Sequence, residues 1–229
     1  ATTTFLPGSV PPGQIVELSV TLTTPASTGV FQSTWMLRNA SGQMFGGGAN
    51  GADPLIARIR TFQSSFNANF AFDLVARYCA ASWRSGAGQL ACPGLSQDVN
   101  GSVALIESPT IENRQTSDYG LWVRPNQASN GWISGVMPAY LVQSGDYFLA
   151  EIGCFQGSTG CDVTFELNYQ IVNGATGQLG RWRETYDGAT TLVDVDLSDL
   201  SGRSINLVLN VFNNGQQRDA NAIWLLPRI

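Results

Sequence analysis

Glu151 and Glu166 are the two side chains whose type and setting first suggest chemistry. The stretch between them has a cysteine at each shoulder, Cys154 and Cys161, so a hairpin would set strand 147–154 against strand 161–171. On that reading Phe148, Ala150, Ile152 and Cys154 share a face with Cys161, Val163, Phe165 and Leu167. Glu151 and Glu166 would then lie together on the other face, diagonally across the pair, beside Thr164, Asn168 and Gln170. Two carboxylates flanking a sugar can act as acid and base, or as acid and nucleophile. The same face can hold a polysaccharide by hydrogen bonds alone, or simply be a solvated outer surface. Trp182, Glu184 and Tyr186 alternate along one side of a further strand, and rings so placed can stack on sugars. Rings of this size more often fill cores, and Trp35, Trp83 and Trp224 read as core. Asp194, Asp196 and Asp199, or Asp98 with Asn100, offer oxygen ligands of the kind Ca²⁺ takes. Aspartates at strand ends also cap turns.

The chain contains no histidine and no lysine, and all 12 positive charges are arginine. Ser-His-Asp and Cys-His catalysis, His-ligated zinc and Schiff-base chemistry are therefore excluded within the chain. The net charge of −5, without a long charge run, excludes an electrostatic nucleic-acid binder. No apolar run is long enough for a membrane-spanning helix, so no membrane insertion is expected.

The elements that must position these residues are strands. Charged residues make up 13% of the chain, about half the usual share. Glycine, serine, threonine, asparagine and glutamine are abundant, which suits short strands and tight turns. Strands are expected over 14–23, 31–38 and 55–62, with a hairpin turn at 39–42 and a Gly-rich loop at 46–53. Residues 63–71 read as a polar linker with aromatic anchors. Beyond it, strands are expected over 72–83, 102–106, 119–124, 132–136, 139–142, 180–186, 191–196, 204–212 and 222–226, the last stopping at Pro227. Residues 196–202 read as one helical turn. Turn signals every 8–15 residues point to a sandwich or jelly roll.

The four cysteines, Cys79, Cys92, Cys154 and Cys161, allow three pairings. The local set, Cys79–Cys92 and Cys154–Cys161, is the simplest, and the parity of the expected hairpin agrees with its second bridge. Four free buried thiols are the alternative. Disulfides imply an oxidising compartment, hence a secreted or cell-surface protein. Asn39-Ala40-Ser41 and Asn100-Gly101-Ser102 are glycosylation sequons, which matter only in a source that uses them.

Pro12-Gly13, Val16, Leu18 and Val20, Pro25, Gly29, Trp35 and Leu37, Gly42 and Phe45-Gly46 carry a resemblance over residues 4–62. That segment resembles the second half of the immunoglobulin-like domain first described in a selective-autophagy receptor, a domain that recurs in bacterial surface proteins. The first half of the domain, with its own tryptophan, has no counterpart in the chain. A half sandwich leaves strand edges uncovered, so a longer parent chain, the second domain or another subunit would have to cover them. Residues 72–229 resemble the jelly-roll modules that accompany such repeats and, more loosely, non-catalytic carbohydrate-binding modules. The residues behind that are Ser82-Trp83, Cys92-Pro93-Gly94, Asn130-Gly131, Gly145-Asp146, Gly153-Cys154, Gly160-Cys161, Tyr186-Asp187-Gly188 and Trp224.

The expectation is an all-β chain. An incomplete Ig-like sandwich (1–62) and a linker (63–71) precede a jelly-roll sandwich (72–229) with two local disulfides. The expected role is non-catalytic: adhesion or assembly of a surface structure or filament, with neighbouring subunits as partners by strand sharing. A carbohydrate-binding module of a larger secreted protein is the alternative, with polysaccharide as partner and Glu151, Glu166, Asn168, Trp182 and Tyr186 as its site. A polysaccharide-cleaving enzyme is the third reading. No cofactor is required on any of them, with Ca²⁺ on Asp194, Asp196 and Asp199 as an option.

Overall fold

The computed structural model describes residues 3–6, 8–11, 14–16, 20, 22–23, 29–61 and 70–229. The chain divides into two compact units, Ala1–Asn67 and Ala68–Ile229. All regular structure among the described residues is strand, apart from one 3₁₀ turn, Ser198–Leu200. Among the described residues no helix is long and apolar enough to cross a membrane.

In the first unit, β1 (Gly29–Trp35) pairs antiparallel with β4 (Leu55–Thr61), and β2 (Leu37–Arg38) pairs with β3 (Met44–Phe45). The strand expected over 31–38 is thus broken at Met36. The turn between β2 and β3 is the one read from the sequence. The Asn39 carboxamide oxygen accepts the Gln43 N–H at 2.9 Å, and Gly42 takes φ +86°, a conformation that glycine adopts without strain. Of the strand expected over 14–23, residues 17–19 and 21 lie outside the described residues, and the others are not in a strand. The expected linker falls almost wholly outside them as well.

The second unit is a β-sandwich of jelly-roll type. Its first sheet has the order β16-β13-β18-β10-β7, with β7 (Ser102–Glu107), β10 (Tyr119–Arg124), β13 (Tyr147–Cys154), β16 (Thr191–Asp196) and β18 (Ala222–Arg228). Its second sheet runs β15-β14-β17-β11-β5-β6. These are β5 (Ser82–Ser85), β6 (Gly88–Gln89), β11 (Trp132–Val136), β14 (Asp162–Ile171), β15 (Thr176–Thr185) and β17 (Ser204–Asn213). The short β12 (Tyr140–Leu141) also joins β17, and β8 (Thr110–Ile111) with β9 (Arg114–Gln115) forms a separate small hairpin.

Alternation along the strands builds the core. Phe148, Ile152 and Trp224 of the first sheet meet Val163, Phe165, Leu167, Leu209 and Val211 of the second, all 0–1% exposed. Trp224 sits edge-on to Phe148 and Phe165, with ring centroids 6.0 and 5.0 Å away, and so joins the two sheets at their centre. The last strand lies in the middle of its sheet, between β13 and β10, and does not stop at Pro227. The register shifts opposite Leu149 and Glu151, Leu226 takes φ +47°, and the irregularity admits a proline that a regular ladder would reject.

Three expectations are corrected here. A strand was expected over 72–83, but residues 74–81 form a run of turns that leads to β5. The Asp73 carboxylate caps the Ala76 N–H at 2.9 Å, and i→i+3 bonds bind Arg77 to Leu74 and Tyr78 to Val75. The β8–β9 hairpin falls between the strands expected over 102–106 and 119–124, where no strand was expected, because it is too short for a periodic signal. The third correction bears on function: β13 and β14 are not a hairpin. They belong to opposite sheets, and the Cys154–Cys161 disulfide, across a separation of 7, crosses from one sheet to the other. Both local pairings, Cys79–Cys92 and Cys154–Cys161, are present.

Candidate functional site

Separating β13 from β14 takes the two carboxylates apart. Glu151 alternates with the buried Ala150 and Ile152 and so projects from the outer face of the first sheet. Glu166 alternates with the buried Phe165 and Leu167 and projects from the outer face of the second. The full thickness of the core lies between them, so they cannot flank one glycosidic bond. Glu151 is occupied by Arg114, which ion-pairs with it, and by the Thr190 hydroxyl, which donates to it.

Trp182 and Glu184 face the core side at the edge of the second sheet, because their Cα partners are the buried Phe165 and Val163. Tyr186 is tied down by its hydroxyl. It lies 3.1 Å from both the Glu112 carbonyl and the Asn113 side-chain oxygen, and accepts the Gly157 N–H at 3.2 Å. Neither ring stands on an open sheet face. Glu112, which sequence reading passed over, is fully buried at φ +54°. Its carboxylate accepts the Cys154 N–H at 2.7 Å and the Gly188 N–H at 3.0 Å, which anchors the β8–β9 hairpin to the end of β13. Burial is the main cause that raises its pKa, against those two bonds.

Glu184 is 7% exposed and its pKa is pushed up to about 7, chiefly by burial. The Thr191 hydroxyl, 2.5 Å away, acts the other way, and the nearby carboxylates of Glu112 and Asp187 add to the rise. Asp194, Asp196 and Asp199 do not converge. The Asp196 carboxylate caps the Ser198 N–H at 2.8 Å and accepts from the Tyr147 hydroxyl, at the start of the 3₁₀ turn. Among the described residues no group of three or more His, Cys, Asp or Glu side chains is arranged to hold a metal ion.

The residues that do come together lie on the outer face of the second sheet. Register sets them in rows across the strands. One row runs Arg181, Glu166, Asn210, Ser134, Arg84 over β15, β14, β17, β11 and β5. The row beside it holds Arg183, Thr164, Phe212 and Trp132, and the row on its other side Gln178, Asn168, Val208, Val136 and Ser82. Each alternates with a core residue: Trp132 with Ile133, Phe212 with Val211, Arg84 with Trp83.

The charges on this face are largely answered. Arg181 Nε is 3.3 Å from Glu166, and Arg183 holds Asp162 through two bonds of 2.8 and 2.6 Å. The Arg183 pair, with Asn214, lowers the Asp162 pKa. What remains is a field of amides, hydroxyls and guanidinium groups beside an indole and a phenyl ring. Of the residues nominated from sequence, Glu166 and Asn168 belong to it. Trp132, Phe212, Asn210, Ser134 and Arg84 were not nominated. The alternation of Trp132, Ser134 and Val136 around Ile133 was visible in the sequence, but which strands adjoin β11 was not.

Comparison with known proteins gives two findings. Residues 1–60 of the 229 match the family described as the Ig-like domain from next to BRCA1 gene. Solved carbohydrate-binding modules resemble the chain in fold. One comes from work on the promiscuous specificity of carbohydrate-binding modules of the β-sandwich superfamily. It is 8% identical, covers 88% of this chain and 74% of its own, and has a TM-score of 0.43. A second, TmCBM61 in complex with β-1,4-galactotriose, is 10% identical over 67% of this chain and 89% of that one, at 0.38. A third holds the M60 catalytic domain with two CBM51 domains of Clostridium perfringens ZmpB. It is 12% identical, with 88% of this chain against 18% of that one, at 0.36. No curated protein matches the chain in sequence.

Proposed function

We infer that the second unit is a non-catalytic glycan-binding module of an extracellular protein, and that the outer face of its second sheet is the binding surface. The observation that carries this is the set of cross-strand rows described above. Sugars present hydroxyls on their edges and C–H groups on their faces. A receptor for them therefore sets planar polar side chains beside aromatic rings. Glu166, Arg84 and Arg181 supply the first kind, Ser134 adds a hydroxyl, and Trp132 and Phe212 supply the second. The rows are held by a continuous antiparallel ladder, so the groups are positioned before a ligand arrives and little side-chain freedom is lost on binding. The two disulfides support an oxidising compartment.

The test is retention of the purified chain on a panel of insoluble and cell-surface polysaccharides, with and without Ca²⁺. Saturable retention by one glycan class, lost in Trp132→Ala and Arg84→Ala but kept in Leu192→Ala on the opposite outer face, is the expected result. No retention on any glycan would refute the reading.

A second reading, assembly with other subunits, draws on the first unit. There β1 and β4 form a two-stranded sheet, and Leu55, Ile56, Met44 and Phe45 are each more than 40% exposed. Exposed apolar side chains favour a partner. Sedimentation of the chain as a monomer at all concentrations would count against it.

A further inference from the structure

The three arginines in the cross-strand rows of the second sheet differ in what answers them. Arg181 is held by Glu166, and Arg183 by Asp162. Arg84 is exposed on β5, and among the described residues no carboxylate lies within ion-pair distance of it. The acid in its own row, Glu166, stands three strands away, about 14 Å by the spacing of strands. Asp98 lies beside another guanidinium, that of Arg124, which bonds the Asp98 carbonyl at 2.7 Å.

A second donor beside Arg84 also lacks an acceptor. β5 ends at Ser85, and the next residue on the outer face is Gly86, itself exposed. The Asn126 carboxamide lies over this glycine, where a Cβ would come within 3.2 Å of its Nδ2. Chemistry fixes the orientation of that amide. Its Oδ1 accepts the Trp132 backbone N–H at 2.9 Å, which the Nδ2 group cannot do. Nδ2 is left with two N–H donors, no acceptor among the described residues, and access to solvent. Arg84 and Gly86 are two residues apart on one face, roughly 7 Å along the strand. An arginine side chain spans that distance, so the guanidinium and Nδ2 can converge on one anion. Trp132 stands diagonally opposite Arg84, next to its cross-strand partner Ser134.

We propose that Arg84 and Asn126, beside Trp132, form a subsite for the carboxylate of an acidic sugar, so that the module prefers uronate-containing to neutral glycans. The proposal rests on the glycan-binding reading and narrows its ligand class. A guanidinium presents its N–H groups as a planar fork that matches the two oxygens of a carboxylate. No side chain of the protein competes for it. The net charge of −5 is spread over the whole chain, and its long-range field is screened beyond about 10 Å at 0.1 M salt.

The experiment titrates the full chain calorimetrically with pairs of probes matched except for the carboxylate. These are β-1,4-hexamannuronate against β-1,4-mannohexaose, and hexagalacturonate against its methyl ester, with a sulfated galactan oligosaccharide as a different anion. At least one uronate should bind about tenfold or more tighter than its neutral counterpart. Arg84→Gln should weaken that uronate about tenfold to a hundredfold, the range of a hydrogen bond to a charged group, and leave the neutral probe unchanged. Asn126→Asp keeps an acceptor for the Trp132 N–H and sets a negative charge over Gly86, so it should weaken the uronate about tenfold or more. Unchanged melting temperatures show that both variants fold. Equal binding within each pair, or a preference for uronate that survives Arg84→Gln, overturns the subsite and leaves the glycan reading standing. Sulfated galactan bound as tightly as the uronate overturns the assignment to a carboxylate. If only a neutral polysaccharide of the panel is retained, the subsite falls alone. If no saccharide binds the wild-type chain, both fall.

Discussion

At the scale of single residues, the clearest consequence concerns Glu184. Its carboxyl is buried at the place where β15, the edge of one sheet, meets β16, the edge of the other, and Thr191 of β16 donates to it. A carboxyl whose pKa is raised from 4.5 to about 7 in the folded state binds its proton more tightly folded than unfolded. The associated stability is fully present below about pH 4.5 and is lost as pH rises through about 7. We expect unfolding free energy to fall over that window by up to about 3 kcal/mol. Glu184→Gln, which keeps an acceptor for Thr191 and cannot ionise, should flatten the profile and be the more stable protein at pH 7.5. Urea titrations of both proteins at pH 5 and pH 7.5 measure this. A wild-type protein equally stable at both values, with no gain in the variant, would refute it.

At the scale of elements, the two disulfides do different work. Cys79–Cys92 closes the loop that leads from the turns at 72–80 into the β5–β6 hairpin. Cys154–Cys161 ties the end of β13 to the start of β14, and thereby one sheet to the other. Its short loop still removes entropy from the unfolded chain, worth roughly 2–3 kcal/mol in the chain-entropy model. Replacing both Cys154 and Cys161 by Ser should lower stability by that amount and leave the far-ultraviolet spectrum unchanged, since all ladder bonds remain. Denaturation midpoints of the variant and of the reduced wild type check it, and no shift in either would contradict it. The same bridge shows how legible the site was. The parity of apolar residues around it holds both for a hairpin and for two facing sheets, because in either case the inward residues meet. The pairing was therefore readable from the sequence and the strand neighbours were not. With the neighbours went the supposed partnership of Glu151 and Glu166.

At the scale of the whole molecule, the second unit has its own core, its own closing strand and both disulfides. The fragment 68–229 should therefore fold alone. It should show a β-type circular dichroism spectrum, a cooperative thermal transition and the same glycan retention as the full chain. A fragment that remains unfolded with both disulfides formed would show that this unit depends on residues before Ala68. The face proposed to bind glycan is assembled from β5, β11, β14, β15 and β17, which enter the sheet from positions across 82 to 213. Such a face exists only once the sandwich has closed.

What the amino-acid sequence determined by itself is local. Composition excluded histidine and lysine chemistry. Alternation placed most strands of the second unit, marked Trp83 and Trp224 as core, and made the two local disulfides the simplest pairing. These follow from the two-residue period of a strand and from short-range chain closure, which need no knowledge of neighbours. The tertiary structure decided which strands lie side by side, and hence that Glu151 and Glu166 are on opposite faces, that Trp182 turns to the core, and that Trp132, Phe212, Asn210 and Arg84 share one surface. Cross-strand pairing joins residues far apart in the chain, and one alternating pattern fits many strand orders. The burial of both sheets against Trp224 selects among them.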